Sequence, residues 1–237
     1  MAATKIKPNN DNLKLMSGME VLRLSYSFAL KSYEQVAVLF LLPALVTTLG
    51  TLYLESGAIE YTKYHLLNQS FYLGLGLIGL GIIWQLINYS PSIYFLSEAT
   101  RKPTLPSIIE CYRLGLKKYF KILYMALIAD MLLVLSMVLF IFPFIIFFPR
   151  LILLPFFAAE HPEAKASELL NMARTATKPY FTPIWNVYLT MALYFIVLNL
   201  IFSIIPFGIV FISILTYVTI FMPVLIYRQI VNLNSNL

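Results

Sequence analysis

Pro143 to Tyr180 reads PFIIFFPRLILLPFFAAEHPEAKASELLNMARTATKPY, and its two halves decide the fold. From Phe144 to Ala159 the chain is apolar except for Arg150. From Glu160 to Lys178 it is charged, and apolar residues recur at helical spacing after Pro162. A segment suited to lipid thus runs into an amphipathic helix suited to water. The junction sets a membrane boundary at Glu160, from which the rest of the topology hangs.

The totals agree. Of 237 residues, 60% are hydrophobic and only 12% charged, against roughly 25% charged in a soluble domain. Such a chain cannot cover its apolar surface in water, so the expectation is an all-α, polytopic membrane protein. The net charge of +6 would suggest nucleic acid in a soluble protein. Here it fits the basic flanks of membrane helices, and no nucleic-acid partner is expected. Cys111 is the one cysteine, which excludes an internal disulfide. No signal-type apolar core interrupts the charged N-terminal region, so no cleaved signal is expected. Residues 1–16, with Pro8, Asn9, Asn10 and Asn12, read as a disordered cytoplasmic tail, and residues 17–237 as the membrane domain.

A span needs about 20 apolar residues, fewer where other helices shield it. Six are read: 36–54, 71–96, 122–142, 144–159, 184–205 and 207–230. The fourth is short and bent by Pro149 and Pro155, and the sixth carries a kink at Pro223. Pro143 and Pro206-Phe207-Gly208 mark tight turns. Basic residues fall on one side. Lys5, Lys7, Lys14, Arg23 and Lys31 precede the first span. Arg101, Lys102, Arg113, Lys117, Lys118 and Lys121 follow the second; Lys165, Arg174 and Lys178 follow the fourth; Arg228 closes the last. The opposite side offers Lys63, in a loop over 55–70 that also holds Glu55 and Glu60. This split predicts both termini in the cytoplasm.

Each hairpin follows an amphipathic helix. The first begins at Ser17, where Ser17-Gly-Met-Glu20 spells a capping box. The second is expected from Thr104, with Pro106 in its first turn and Ile108, Ile109, Tyr112 and Leu116 on one face. The third is expected from His161, with Leu169, Met172 and Ala173 on one face. They stop alike, at Lys31-Ser32-Tyr33, Lys117-Lys118-Tyr119 and Lys178-Pro179-Tyr180. Lys suits the negative end of the helix dipole and lipid phosphate, and Tyr suits the interface. The expectation is six transmembrane helices in three repeats of amphipathic cytoplasmic helix plus hairpin. Lys31, Tyr33, Lys117, Lys118, Tyr119, Lys121, Lys178 and Tyr180 are the expected membrane-edge and lipid-headgroup contacts.

This layout resembles the membrane domain attached to some glycerophosphoryl diester phosphodiesterases, and uncharacterised bacterial inner-membrane proteins of the YciC type. The shared features are Pro143, Arg150 in an apolar run, Glu160 at the membrane edge, Ala164 or Ala166, and the stop Lys178-Pro179-Tyr180-Phe181. Phe144 stands where the family often has Gly, and Asn171 where it usually has Ser. The resemblance implies a six-span bundle in a bacterial cytoplasmic membrane and no assigned activity. None of the segments read here corresponds to a phosphodiesterase catalytic domain, so that chemistry is not expected.

Asp130 and Arg150 stand out, because charges inside spans are costly and usually face a partner or a watery cavity. Asp130 lies about 12 Å in from Ile122, and Arg150 about 15 Å in from Glu160, at 1.5 Å per residue. They are expected to pair, directly or through water; otherwise Arg150 reaches alone toward Glu160 or the headgroups, and Asp130 is neutral or meets Asn186 or Asn199. A polar path through Gln85, Asn88, Asp130, Arg150 and Glu160 is the weaker expectation. Gly74-Leu-Gly76-Leu-Ile-Gly79 spells a dinucleotide fingerprint but lies inside a span, so with Gly81 it is read as a close helix contact. His-Glu-x-x-His, phosphate-loop and Gly-x-Ser-x-Gly motifs are missing from the sequence, and His65 and His161 fall on opposite sides. No enzymatic activity, cofactor or metal is expected. The expected role is a scaffold, lipid-interacting or partner-binding domain acting on anionic headgroups, with any protein partner unknown. The alternative is a transporter or permease for a small or lipidic solute.

Overall fold

A computed structural model describes residues 15–64, 68–102, 104–139, 141–202, 204 and 217–234. It is all-helical, and five of its helical segments are long and apolar enough to cross a membrane: Tyr33–Ile59, Gln69–Arg101, Tyr119–Val138, Pro143–Glu160 and Ala166–Phe202. Val218–Leu233 is a shorter apolar helix. The turn expected at Pro206-Phe207-Gly208, the start of the expected sixth span and residues 1–14 of the expected tail lie outside the described residues. Leu15 is already buried, and the Met16 N–H donates to Gln229 Oε1 at 3.0 Å, so Leu15 and Met16, expected in the tail, belong to the packed part of the chain.

Helix α1 (Gly18–Lys31) opens on the expected capping box, with the Ser17 oxygen on the Glu20 N–H and the Glu20 carboxylate on the Ser17 N–H. The chain turns at Ser32 into α2 (Tyr33–Val36), a π turn (Ala37–Leu41) and α3 (Leu42–Tyr64). Helix α3 thus continues through much of the loop expected over 55–70. Helix α4 (Gln69–Arg101) has 33 residues, about 50 Å at 1.5 Å per residue, and runs antiparallel beside α3. Gly74 permits the contact, because a Cβ there would stand 2.5 Å from the Leu54 backbone nitrogen. Gly81 is also closely packed, but Gly76 and Gly79 face open space, so only half of the expected glycine contact exists.

Helix α5 (Ile108–Lys117) starts four residues after the expected Thr104, because the Ser107 oxygen caps the Glu110 N–H. Lys118 breaks it, and α6 (Tyr119–Leu139) follows. In α7 (Ile141–Leu151) Pro143 occupies the first turn and not the connection. The bend expected from Pro149 and Pro155 is a full break at Ile152 and Leu153, before α8 (Leu154–Glu160). Helix α9 (Ala166–Thr177) starts later than expected, where the Glu168 carboxylate takes the Lys165 N–H. A 3₁₀ turn (Lys178–Tyr180) leads to α10 (Phe181–Phe202), and α11 (Phe221–Asn234) ends the described chain.

The core gathers at one end. Pro91 to Ala99 of α4 and Leu154 to Ala159 of α8 are buried without interruption. Helices α1, α5, α9 and α11 close around them. An aromatic chain of Phe28, Phe221, Phe95 and Phe40 links α1, α11, α4 and the π turn. Beyond this base the helices carry large apolar residues outward, including Leu80 and Ile83 on α4, Met131 and Val134 on α6, and Leu193 and Leu200 on α10. Exposed apolar surface of this extent requires lipid or another apolar cover.

Candidate functional site

Helix α8 delivers Glu160 to the edge of the buried base. There Glu160 Oε1 meets Arg228 Nη1 of α11 at 2.5 Å, the Tyr227 hydroxyl donates to Oε2 at 2.6 Å, and the Ser97 hydroxyl donates to Oε1 at 3.2 Å. Arg228 Nη2 donates to the Ser97 carbonyl at 2.7 Å and to Ser97 Oγ at 3.0 Å, and its Nε to Thr100 Oγ1 at 3.3 Å. Side-chain exposure is only 14% for Arg228 and 18% for Glu160. A pair so far out of water is stable only when its remaining donors and acceptors are taken, and here they are. Phe156 and Phe157 pack against the Tyr227 ring. The arrangement locks the C-terminal ends of α4 and α8 to the middle of α11. Glu160 is therefore not part of an open polar path: its oxygens are spent on protein donors.

Two lysines expected at the lipid headgroups also turn inward. Lys118 Nζ donates to the Ala159 carbonyl at 2.6 Å, and Lys121 Nζ to the Ala164 carbonyl. These carbonyls lie at and beyond the end of α8, where helix hydrogen bonding runs out. Tyr119 donates to the Leu86 carbonyl at 3.1 Å, and Tyr180 is buried. Lys31, Tyr33, Lys117 and Lys178 remain exposed.

Asn88 is the second structural knot. Pro43 has no N–H to give the Leu39 carbonyl, and Leu42 bonds back to Ala37 across the π turn, which leaves the Val38 carbonyl free. Asn88 Nδ2 reaches from α4 to both, at 3.2 Å to Val38 and 3.0 Å to Leu39. Its Oδ1 accepts from the Tyr112 hydroxyl of α5 at 2.5 Å. Gln85, one turn away, donates to Thr47 Oγ1 at 3.2 Å. Each of these polar residues serves its own local contact, and the path expected through Gln85, Asn88 and Glu160 is broken into separate pieces. The same device recurs at Pro149, which leaves the Ile145 carbonyl without its helical donor; Trp185 Nε1 of α10 supplies one at 3.1 Å.

Asp130 and Arg150 make no direct ion pair. Among the described residues the acid–base pairs join Glu98 to Arg101 and Lys102, and Glu160 to Arg228. Asp130 is exposed on α6 and stands within electrostatic reach of Tyr89 on α4. Arg150 lies on the flank of α7 that meets α9, beside Arg174. Counting residues does not fix the direction faced: Asp130 lies toward α4 and Arg150 toward α9. Ser97, Thr100 and Tyr227 carry no such role in the sequence reading, and Arg228 enters it only as a basic flank; Tyr227-Arg228, a polar pair ending an apolar run, is the one local hint.

No group of three or more side chains able to hold a metal occurs among the described residues. Compared with protein-family models, curated proteins and solved structures, the chain matches none.

Two knots give two tests of stability, read from SDS titration in mixed micelles. Asn88→Leu strands two carbonyls and the Tyr112 hydroxyl, and should cost about 2–3 kcal/mol, with Tyr112→Phe costing about 1 kcal/mol. Glu160→Gln or Arg228→Met should each cost roughly 2–3 kcal/mol by leaving one charge of a buried pair alone. The double variant should cost clearly less than their sum; additive losses would show that the two side chains are not coupled.

Proposed function

We propose that this chain is a non-enzymatic integral membrane domain of six spans in three repeats, whose basic cytoplasmic edge rests on anionic lipid. The observation that carries this reading is the corner repeated between amphipathic and apolar helices. Ser32 (φ −117°, ψ 31°) and Lys118 (φ −104°, ψ 6°) break the chain in the same backbone region, immediately after Lys31 and Lys117. The third corner, at Lys178–Tyr180, is a 3₁₀ turn with the same Lys-x-Tyr order. All three amphipathic helices also carry a glutamate at their third position, Glu20, Glu110 and Glu168, whose first-turn contacts support a repeated unit. Each corner leaves a lysine exposed where a helix ends and an outward apolar surface begins. A cation near an anionic leaflet gains about 1 kcal/mol.

In this reading both termini lie in the cytoplasm of a bacterial cell, and kinship with the membrane domains of the YciC type belongs to the same proposal. Transport through the bundle has less support, because Gln85, Asn88 and Glu160 are each engaged in a different protein contact.

Topology is open to thiol labelling. Cys111 is fully buried, and burial followed by the Glu110 charge pushes its thiol up to about 12, so it stays silent. Cysteines placed at Lys31, Lys117 and Lys178 should all react with an impermeant maleimide only after the cell membrane is opened; labelling of any one of them in intact cells breaks the topology. The lipid role predicts that Lys31→Glu, Lys117→Glu and Lys178→Glu together lower the excess of phosphatidylglycerol over phosphatidylcholine around the protein in mixed micelles severalfold. An unchanged excess would remove that role.

A further inference from the structure

The exposed edge accounts for Lys31, Lys117 and Lys178, but not for two arginines that stand together without an acid. Arg150 of α7 and Arg174 of α9 line one open cavity of about 330 Å³. Among the described residues neither guanidinium has a hydrogen-bond or ion-pair partner. Their neighbours in that cavity are polar on one side: Ser167 and Asn171 share the α9 face with Arg174, at positions one turn apart. Two like charges held side by side repel, and an anion between them removes the repulsion. Guanidinium groups match the planar, two-oxygen edge of a phosphate.

The other side of the cavity is greasy. Leu132 and Phe147 line it and continue into a second, smaller hollow of about 120 Å³, walled by Leu135, Ser136 and Pro143. From Arg150 back to Pro143 is about 10 Å along α7 at 1.5 Å per residue. The strip leads away from α9 and into the outward apolar surface of the α6–α7 hairpin. A free phosphate has no use for such a strip, whereas a lipid tail does.

We propose that the groove between α6, α7 and α9 holds one anionic glycerophospholipid, its phosphate between Arg150 and Arg174 and an acyl chain along Leu132, Leu135 and Phe147. This deepens the lipid-binding reading above and rests on it. It also gives Arg150 a role at headgroup level, set by α9 folding back against α7. The exposed lysines gather anionic lipid loosely, and the arginine groove retains one molecule of it.

The test uses the full chain in a neutral detergent with added palmitoyl-oleoyl-phosphatidylglycerol or its phosphatidylcholine counterpart, and counts retained lipid by native mass spectrometry. The unaltered protein should keep a single phosphatidylglycerol, with about tenfold preference over phosphatidylcholine. Arg150→Gln with Arg174→Gln should abolish that preference; if the double variant fails to fold, Arg174→Gln alone, at an exposed position, should reduce it. Leu135→Trp, which fills the strip, should release the lipid while the arginines remain. Millimolar inorganic phosphate should not displace it, and displacement would assign the site to a free anion and overturn the lipid proposal. Retention unaffected by the arginine changes overturns the groove. The lysine variants then separate the two readings: if they still lower the looser enrichment, the lipid-facing edge stands without the groove, and if they do not, both fall.

Discussion

A backbone carbonyl inside a membrane has no water to turn to, and an unsatisfied one costs several kcal/mol. That constraint organises much of this molecule, because Pro43 and Pro149 each remove a helical donor in an apolar segment. Both deficits are met from another helix, by Asn88 of α4 and by Trp185 of α10. The donors act as staples: α3 cannot leave α4, nor α7 leave α10, without stranding a carbonyl. Since lipid offers little hydrophobic drive between apolar helices, such polar contacts and close packing decide which helices stay together. The Gly74 approach to Leu54 adds the packing side of that argument within the first hairpin.

Charge is handled in two opposite ways. Glu160 and Arg228 are mostly buried and closed on themselves, with Ser97, Thr100 and Tyr227 taking up their remaining valences. Such a network contributes specificity of joining more than net stability, since desolvation offsets most of the attraction. Lys118 and Lys121 act in the same closed manner on the carbonyls past α8. Arg150 and Arg174 are the reverse, two cations gathered in one open cavity with no acid among the described residues. The first arrangement completes the fold, and the second asks for something the fold does not contain.

How much of this was legible depends on whether the signal is local. The apolar runs placed four of the five long helical segments to within about five residues, because length and composition alone decide what can cross a membrane; the fifth extends back to Ala166 through the amphipathic α9. The corner stops were legible because Lys and Tyr are read in place. The Ser107-Ile-Ile-Glu110 box was as readable as Ser17-Gly-Met-Glu20, but Pro106 drew the helix start forward; in the structure it precedes the cap. Residue counting assigns Asp130 and Arg150 a similar height, but the direction each faces depends on which helices flank α6 and α7. Nothing in the sequence near Glu160 points to Arg228, which arrives from the far end of the chain. The same holds for Asn88: its need is created at Pro43, and only the α3–α4 pairing brings donor and carbonyl together.

The break at Ile152 and Leu153 ties these features to one another. Pro155, at the second position of α8, requires no N–H partner there and lets the chain restart in a new direction. The restart sends α8 into the base, buried from Leu154 to Ala159, and so carries Glu160 to Arg228. It also ends α7 at Leu151, leaving Arg150 in the last turn, free to face α9 instead of the bundle interior. A straight helix through this segment would keep Arg150 at the mid-membrane depth that residue counting assigns it, where a lone guanidinium is costly. The kinked form instead sets Arg150 beside Arg174 of α9. One bend in the stretch from Pro143 to Tyr180 therefore builds both the internal lock and the open arginine groove.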